Sequence, residues 1–134
     1  MKKWSLAAAC AAVLLAACAS GMPSGSDYAS AGSVPLAMRG GMLATDKGLT
    51  VYTFDKDVAG SGKSVCNDKC AVNWPPVLAG ANDRPQGPYT IVVRDDGRRQ
   101  WAYKGKPVYT WPEDQQPGDK YGDNKLKIWH VVTQ

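Results

Sequence analysis

The residues able to do chemistry in this chain are few. There are four cysteines, one histidine, and tyrosines that recur beside carboxylates. Cys18 closes the run Leu15-Ala16-Ala17-Cys18. Small side chains at Ala16 and Ala17 let an extended backbone enter a narrow protease cleft, and a cut before the cysteine leaves a thiol that can accept a diacylglycerol. Cys10 lies inside the preceding apolar stretch and would leave with it. Cys66 and Cys70 then remain. An exported compartment favours a disulfide between them, and positions four apart on one helical turn hold their Cα atoms about 6 Å apart, within bridging range. Three intervening residues differ from the two of a redox or haem motif, no Cys-His pair follows, and zinc partners are missing, so the expected link is structural.

His130 sits next to Trp129 in an apolar segment. One imidazole does not make a His-rich metal site, although Met38 and Met42 could lend soft ligands to copper. A Ser-His-Asp arrangement is formally available, but no Gly-x-Ser-x-Gly elbow is present. Asp55 with Asp57, and Glu113 with Asp114, have the look of the paired carboxylates of glycoside hydrolysis. They sit in matching loops of a repeat, and repetition accounts for them better. The expectation is a protein that is not an enzyme, with no catalytic residue, no metal and no cofactor.

The repeat itself is KGLTVYTFDKD at Lys47–Asp57, which returns as KGKPVYTWPED at Lys104–Asp114, an offset of 57. Lys, Gly, Val, Tyr, Thr and the final Asp are shared, and Phe54 gives way to Trp111. Further on, Trp74-Pro75-Pro76-Val77 is echoed by Trp129-His130-Val131-Val132, two residues out of register. In an extended strand, Tyr52 and Phe54 share a face, as do Tyr109 and Trp111. Asp57 and Asp114 fall in the following turn, where a carboxylate can accept backbone N–H groups. This favours a structural role, aromatics in a core and an acid holding a loop, over an aromatic platform for a sugar, polyamine or peptide.

The elements that must position these residues are short. Gly40-Gly41 breaks the apolar run from Leu36 to Thr45, and Asp46-Lys47-Gly48 signals a turn. Leu49–Phe54 alternates as a strand. Ser64 is placed to cap a helical turn running through Cys66 and Cys70. Pro75 and Pro76 demand an extended path and argue against a central strand. Leu78–Gln86 reads as a loop. Tyr89–Arg94, the Asp95-Asp96-Gly97 turn, Arg98–Tyr103, the Lys104-Gly105 turn and Lys106–Trp111 form a meander. Lys125–Thr133 closes the chain as a strand. With 14 Gly and 9 Pro, the composition suits such a turn-rich β fold.

Ahead of it, Lys2 and Lys3 precede the apolar run Leu6–Ala17, which is too short to span a bilayer. The expected organisation is a lipoprotein signal over 1–17, lipidated Cys18 with a Ser/Gly/Ala-rich tether over 18–33, and one β-rich domain over 34–134. Its two repeats span about 43–77 and 100–132. A coil of this length reaches roughly 20 Å. Taking Lys2 and Lys3 from the 16 basic residues leaves 14 against 12 acidic, with the signs interspersed. There is no basic stripe for nucleic acid.

The spaced motifs Tyr52-x-Phe54-x-x-Asp57 and Tyr109-x-Trp111-x-x-Asp114, Cys66…Cys70-Ala-x-x-Trp74-Pro-Pro, Asp96-Gly97…Gln100 and Trp129-His130-Val-Val resemble a bacterial lipoprotein family. That family carries a repeated Yx(F/W/Y)xxD motif and is also called a secreted repeat of unknown function. The resemblance runs from about Leu43 to Val132. It implies an exported protein of two repeats anchored through lipid on Cys18, and it brings no activity. Ala19 after the cysteine, rather than the Asp that holds such lipoproteins at the inner membrane, implies the outer membrane in a host with two membranes. The leading expectation is a non-catalytic binding or structural protein of the envelope whose one defined partner is the membrane. The alternatives are a metal or redox accessory protein using Cys66, Cys70, His130 and the methionines, and a small hydrolase.

Overall fold

Period-two alternation around the repeated Tyr divides the core into two faces. The computed structural model describes residues 32–134. The leader, Cys18 and most of the tether lie outside the described residues. The fold is mainly β. Strands β1 (Leu36–Arg39) and β2 (Met42–Thr45) form a hairpin turned at Gly40 and Gly41, whose φ values of 60° and 83° favour glycine. Then come β3 (Tyr52–Phe54), a one-turn helix α1 (Lys69–Asn73), β4 (Leu78–Ala79), β5 (Tyr89–Val93), β6 (Arg99–Tyr103), β7 (Lys106–Tyr109) and β8 (Trp129–Val131). All pairings between strands are antiparallel, and β3 lies between β7 and β8.

The two repeats meet at the β3–β7 ladder, where Tyr52 faces Tyr109. On one side of it Val51 and Val108 pack with Leu36, Leu43, Trp101 and Val132. On the other, Tyr52 and Tyr109 pack with Phe54, Cys66, Trp74 and Trp129. Each repeat also admits the tail of the other repeat's Trp-bearing segment beside its paired strands. Val77 donates to the Val108 carbonyl at 3.1 Å and accepts from the Trp101 amide at 2.8 Å. Val132 donates to Val51 at 3.3 Å and accepts from Leu43 at 2.8 Å.

These insertions explain where the strands differ from expectation. The strand anticipated over Leu49–Phe54 is regular only at Tyr52–Phe54. Before it, Thr50 makes a single bridge to Ala44 and the Val51 amide donates to the Leu43 carbonyl at 3.0 Å, while Val132 takes the Leu43 amide and the Val51 carbonyl. The one anticipated over Lys106–Trp111 ends at Tyr109, after which the Thr110 amide turns to the Pro75 carbonyl. Pro75 and Pro76 lie outside the strands, as expected, and touch the sheet through a single bridge from Pro76 to Tyr109. They are tolerated because the Pro75 carbonyl and the Val77 N–H carry that bridge, so neither proline is asked to donate. Leu78-Ala79, read as loop, pairs with Gln100 and Arg99 as β4.

The closing strand is shorter than Lys125–Thr133. β3 offers it only Tyr52, Thr53 and Phe54 as partners. Lys125–Lys127 instead form a 3-10 turn, entered through left-handed Asn124 and containing left-handed Leu126 and Lys127. Helix α1 starts after Asp68, not after Ser64, and has no side-chain cap. Ser64 is drawn away from capping by a buried network described below. Among the described residues, no helix is long and apolar enough to cross a membrane.

Candidate functional site

The two motif copies are crossed. Tyr52 donates its hydroxyl to Asp114 Oδ2 at 2.5 Å, and Tyr109 donates to Asp57 Oδ2 at 2.5 Å. Each phenol therefore reaches the acid of the other repeat. The spacing follows from the turn after each aromatic, in which the Asp57 amide donates to Phe54 and the Asp114 amide to Trp111, both at 3.0 Å. That turn swings the carboxylate back toward the partner strand. The second carboxylate oxygen fixes the loop beyond. Asp57 Oδ1 accepts from the Val65 amide at 2.7 Å, and Asp114 Oδ1 from the Tyr121 amide at 2.8 Å. Both acids and both tyrosines are buried.

Burial sets the electrostatics. It pushes the Tyr52 and Tyr109 hydroxyls well above the ordinary phenol value, and the adjoining Asp114 and Asp57 push them further. Asp57 is also raised by desolvation, which outweighs the opposing pull of the Tyr109 and Val65 hydrogen bonds and of the Lys106 and Arg94 charges. The phenols stay protonated and hold the acids by donated hydrogen bonds.

The first repeat extends this pair into a network that the sequence reading missed. Ser64 Oγ lies 2.6 Å from the Tyr109 hydroxyl and accepts from the Cys66 amide at 3.1 Å. Arg94, also buried, donates to Ser64 Oγ at 3.1 Å, to Gln100 Oε1 at 2.6 Å and to the Cys66 carbonyl. Gln100 in turn donates to the Val108 carbonyl at 2.8 Å. The signal was the alternation of β5, since Arg94 follows buried Val92 by two and shares its inward face. A cation at the end of a strand reads as solvated, and only tertiary pairing shows otherwise. In the second repeat, the Gly122 amide takes the place of Ser64 and donates to the Tyr52 hydroxyl at 3.2 Å. A Cβ there would stand 2.8 Å from Trp74 and 3.0 Å from Trp111.

Around the crossed pair runs an aromatic stack. Phe54 lies on Trp129 at 4.3 Å between centroids, Trp129 on Trp74 at 3.8 Å, and Trp74 against Trp111 at 4.4 Å. Tyr52 meets Trp74 edge-on at 5.4 Å, and Tyr109 meets Trp129 at 5.2 Å. Trp111 is half-buried, with Lys125 Nζ 4.7 Å above its ring.

The remaining sequence candidates lie apart from this centre or at its margin. Cys66 and Cys70 are joined in a disulfide with Cα atoms 5.2 Å apart, the buried Cys66 within the aromatic core. His130 is 2.9 Å from Asp55 in a partly exposed pair on the rim of β8 and β3. Met38 pairs with Leu43 and Met42 with Arg39, so the two thioethers leave the hairpin on opposite faces. Among the described residues, no three His, Cys, Asp or Glu side chains gather where they could hold a metal ion. A surface depression of about 310 Å³ is lined by Asn67, Asp68, Asp95 and Asp96, away from both motifs.

With this geometry in place, comparison with known families gives one match. The model of a secreted repeat of unknown function matches residues 37–78 and 90–133, more than half of the chain. These spans begin earlier than the repeats read from the sequence, because β1 and β5 belong to the units they open. No characterised protein and no solved structure matches the chain.

Proposed function

The chain belongs to the family of secreted repeats of unknown function, and we propose that it is a lipid-anchored protein of the cell envelope, non-catalytic, acting as a structural or binding module held at the membrane by Cys18. The crossed Tyr–Asp exchange is the observation that carries the non-catalytic reading. Tyr52, Asp57, Tyr109 and Asp114 are buried and bonded to one another, so the residues that define the repeat serve its own assembly. Each acid is buried, with one oxygen accepting from a phenol and the other from an amide, so neither is presented to an outside molecule.

Support for the anchor comes from the Leu15-Ala16-Ala17-Cys18 run, from the secreted character of the family and from the Cys66–Cys70 bridge expected of an oxidising compartment. The outer membrane is the favoured address on account of Ala19. Fractionation of cells making the native chain and Cys18→Ser tests this reading. The native protein should carry acyl chains at its N-terminal cysteine and sediment with outer membranes, while the variant should be released. A Cys18→Ser protein that stays membrane-bound refutes the anchor.

A further inference from the structure

A core that needed only packing would carry Phe at 52 and 109. This one carries two phenols, each aimed at a buried carboxylate, and buried carboxylates are costly to keep. It also places both phenols against stacked indoles that lead outward to a half-buried Trp. Taken together, the geometry points to a one-electron oxidation site: the Tyr52–Asp114 and Tyr109–Asp57 pairs accept oxidising equivalents delivered through Trp111 and Trp74 from a radical-class oxidant at the protein surface.

The chemistry balances within the described residues and the oxidant. A diffusible one-electron oxidant such as a peroxyl radical takes an electron from Trp111 and is thereby reduced. The hole passes to Trp74, whose ring centroid is 4.4 Å away, and the Tyr52 ring is 5.4 Å beyond. From Trp74 it can equally reach Trp129 at 3.8 Å and then Tyr109 at 5.2 Å. Rings at such separations are in or near van der Waals contact, close enough for a hole to hop. Removing an electron from a phenol makes its proton strongly acidic, so the phenol must lose both together. The Tyr52 O–H bond breaks, its proton moves to Asp114 Oδ2 along the existing hydrogen bond, and its electron fills the hole in Trp74. The products are a neutral tyrosyl radical and a carboxylic acid. An electron from a thiol-class reductant, with return of the proton from Asp114, restores the starting pair.

Electrostatics give the transfer a direction. Lys125 stands over Trp111 and disfavours positive charge on that ring. Asp114 and Asp57 favour positive charge at the inner end. A hole introduced at the rim is therefore driven inward. The second repeat supplies the entrance through Trp111, where the first has Phe54, a ring much harder to oxidise. Phe54 stacks on Trp129 and closes that end of the ladder.

Flash oxidation of the full chain in detergent with photogenerated ruthenium(III) tris(bipyridine), followed by freezing and electron paramagnetic resonance, tests this. A tyrosyl signal is expected, lost in the Tyr52→Phe/Tyr109→Phe variant and kept in Tyr121→Phe, which removes an exposed ring. In the native chain prepared in D2O, the signal should show one fixed coupling to an exchangeable deuteron, held between phenoxyl oxygen and carboxylate. This measurement decides the matter even if the double variant fails to fold. A tyrosyl signal undiminished in a folded double variant, a signal confined to tryptophan, or the absence of a fixed deuteron coupling overturns the proposal.

Discussion

The crossing of the motifs makes a prediction about coupling that their sequence order would invert. Tyr52 and Asp57 belong to one motif and stand five positions apart, whereas Tyr52 and Asp114 are 62 apart. Tyr52→Phe removes one hydroxyl and adds no volume. It takes the phenol donor from Asp114 Oδ2 and the acceptor from the Gly122 amide. A hydrogen bond to a charged group is worth about 1.5–3 kcal/mol and a neutral one about 1, so the expected destabilisation is about 2.5–4 kcal/mol. Tyr109→Phe should lose less, about 1.5–3 kcal/mol, because Ser64 keeps Arg94 and the Cys66 amide as partners. Urea unfolding of the two Phe variants, of Asp57→Ala and Asp114→Ala, and of the four double combinations gives the full set of cycles. Tyr52 with Asp114, and Tyr109 with Asp57, should each show a coupling of about 1–3 kcal/mol, while the same-motif pairs should add within about 0.5 kcal/mol. Stronger coupling within a motif than across the repeats would refute the reciprocal arrangement.

Other consequences can be checked on the same protein. Because Tyr52 and Tyr109 have raised values when folded, their contribution to stability is complete below the ordinary phenol value near 10 and is lost as the pH climbs above it. Phenolate absorbance should show these two rings ionising only together with alkaline unfolding. Asp57 is raised too, so its contribution is complete below its ordinary value near 3.8 and fades as the pH rises through its folded value. The stability difference between native protein and Asp57→Asn should drift in the variant's favour over that window, read from urea midpoints. Cys70→Ser opens a five-residue loop and should lower stability by about 2 kcal/mol while a cooperative transition persists. Gly122→Ala forces a methyl between Trp74 and Trp111 and should destabilise by about 1–3 kcal/mol, with a changed near-ultraviolet dichroism of the Trp stack. Both repeats should melt in a single transition, with calorimetric and van't Hoff enthalpies in agreement.

What was legible in the sequence was whatever depends on near neighbours. Tyr52 and Phe54 share a face because strands alternate, Asp57 falls in a turn because it follows the strand by three, and Cys66 reaches Cys70 because they are four apart. What was not legible depends on who stands opposite. Arg94 is buried because Ser64 and the Cys66 carbonyl of one segment and Gln100 of another converge on it. Ser64 fails to cap a helix for the same reason, since a buried phenol competes for its hydroxyl. Pro75 and Pro76 stay outside the strands as read, but the bridge from Pro76 to Tyr109 was not legible, because the ban on proline in a sheet applies only to its missing N–H. At this bridge, only the Pro75 carbonyl and the Val77 N–H are used.

The crossing also explains why the motif survives in two copies that are otherwise free to differ. Within one repeat, a tyrosine has no acid and an acid has no tyrosine, so neither copy can satisfy its own buried polar groups. A buried donor or acceptor left without a partner costs about 1–3 kcal/mol, and one repeat on its own would hold several. The constraint acts on Tyr and Asp at both sites together and leaves their surroundings open. Phe54 can be exchanged for Trp111, and the role of Ser64 can pass to a backbone amide at Gly122. Arg94 can be recruited on one side alone. Among the shared residues, Tyr and Asp are the ones whose side chains bond across the two repeats, and Phe54 with Trp111 and Ser64 with Gly122 differ around them.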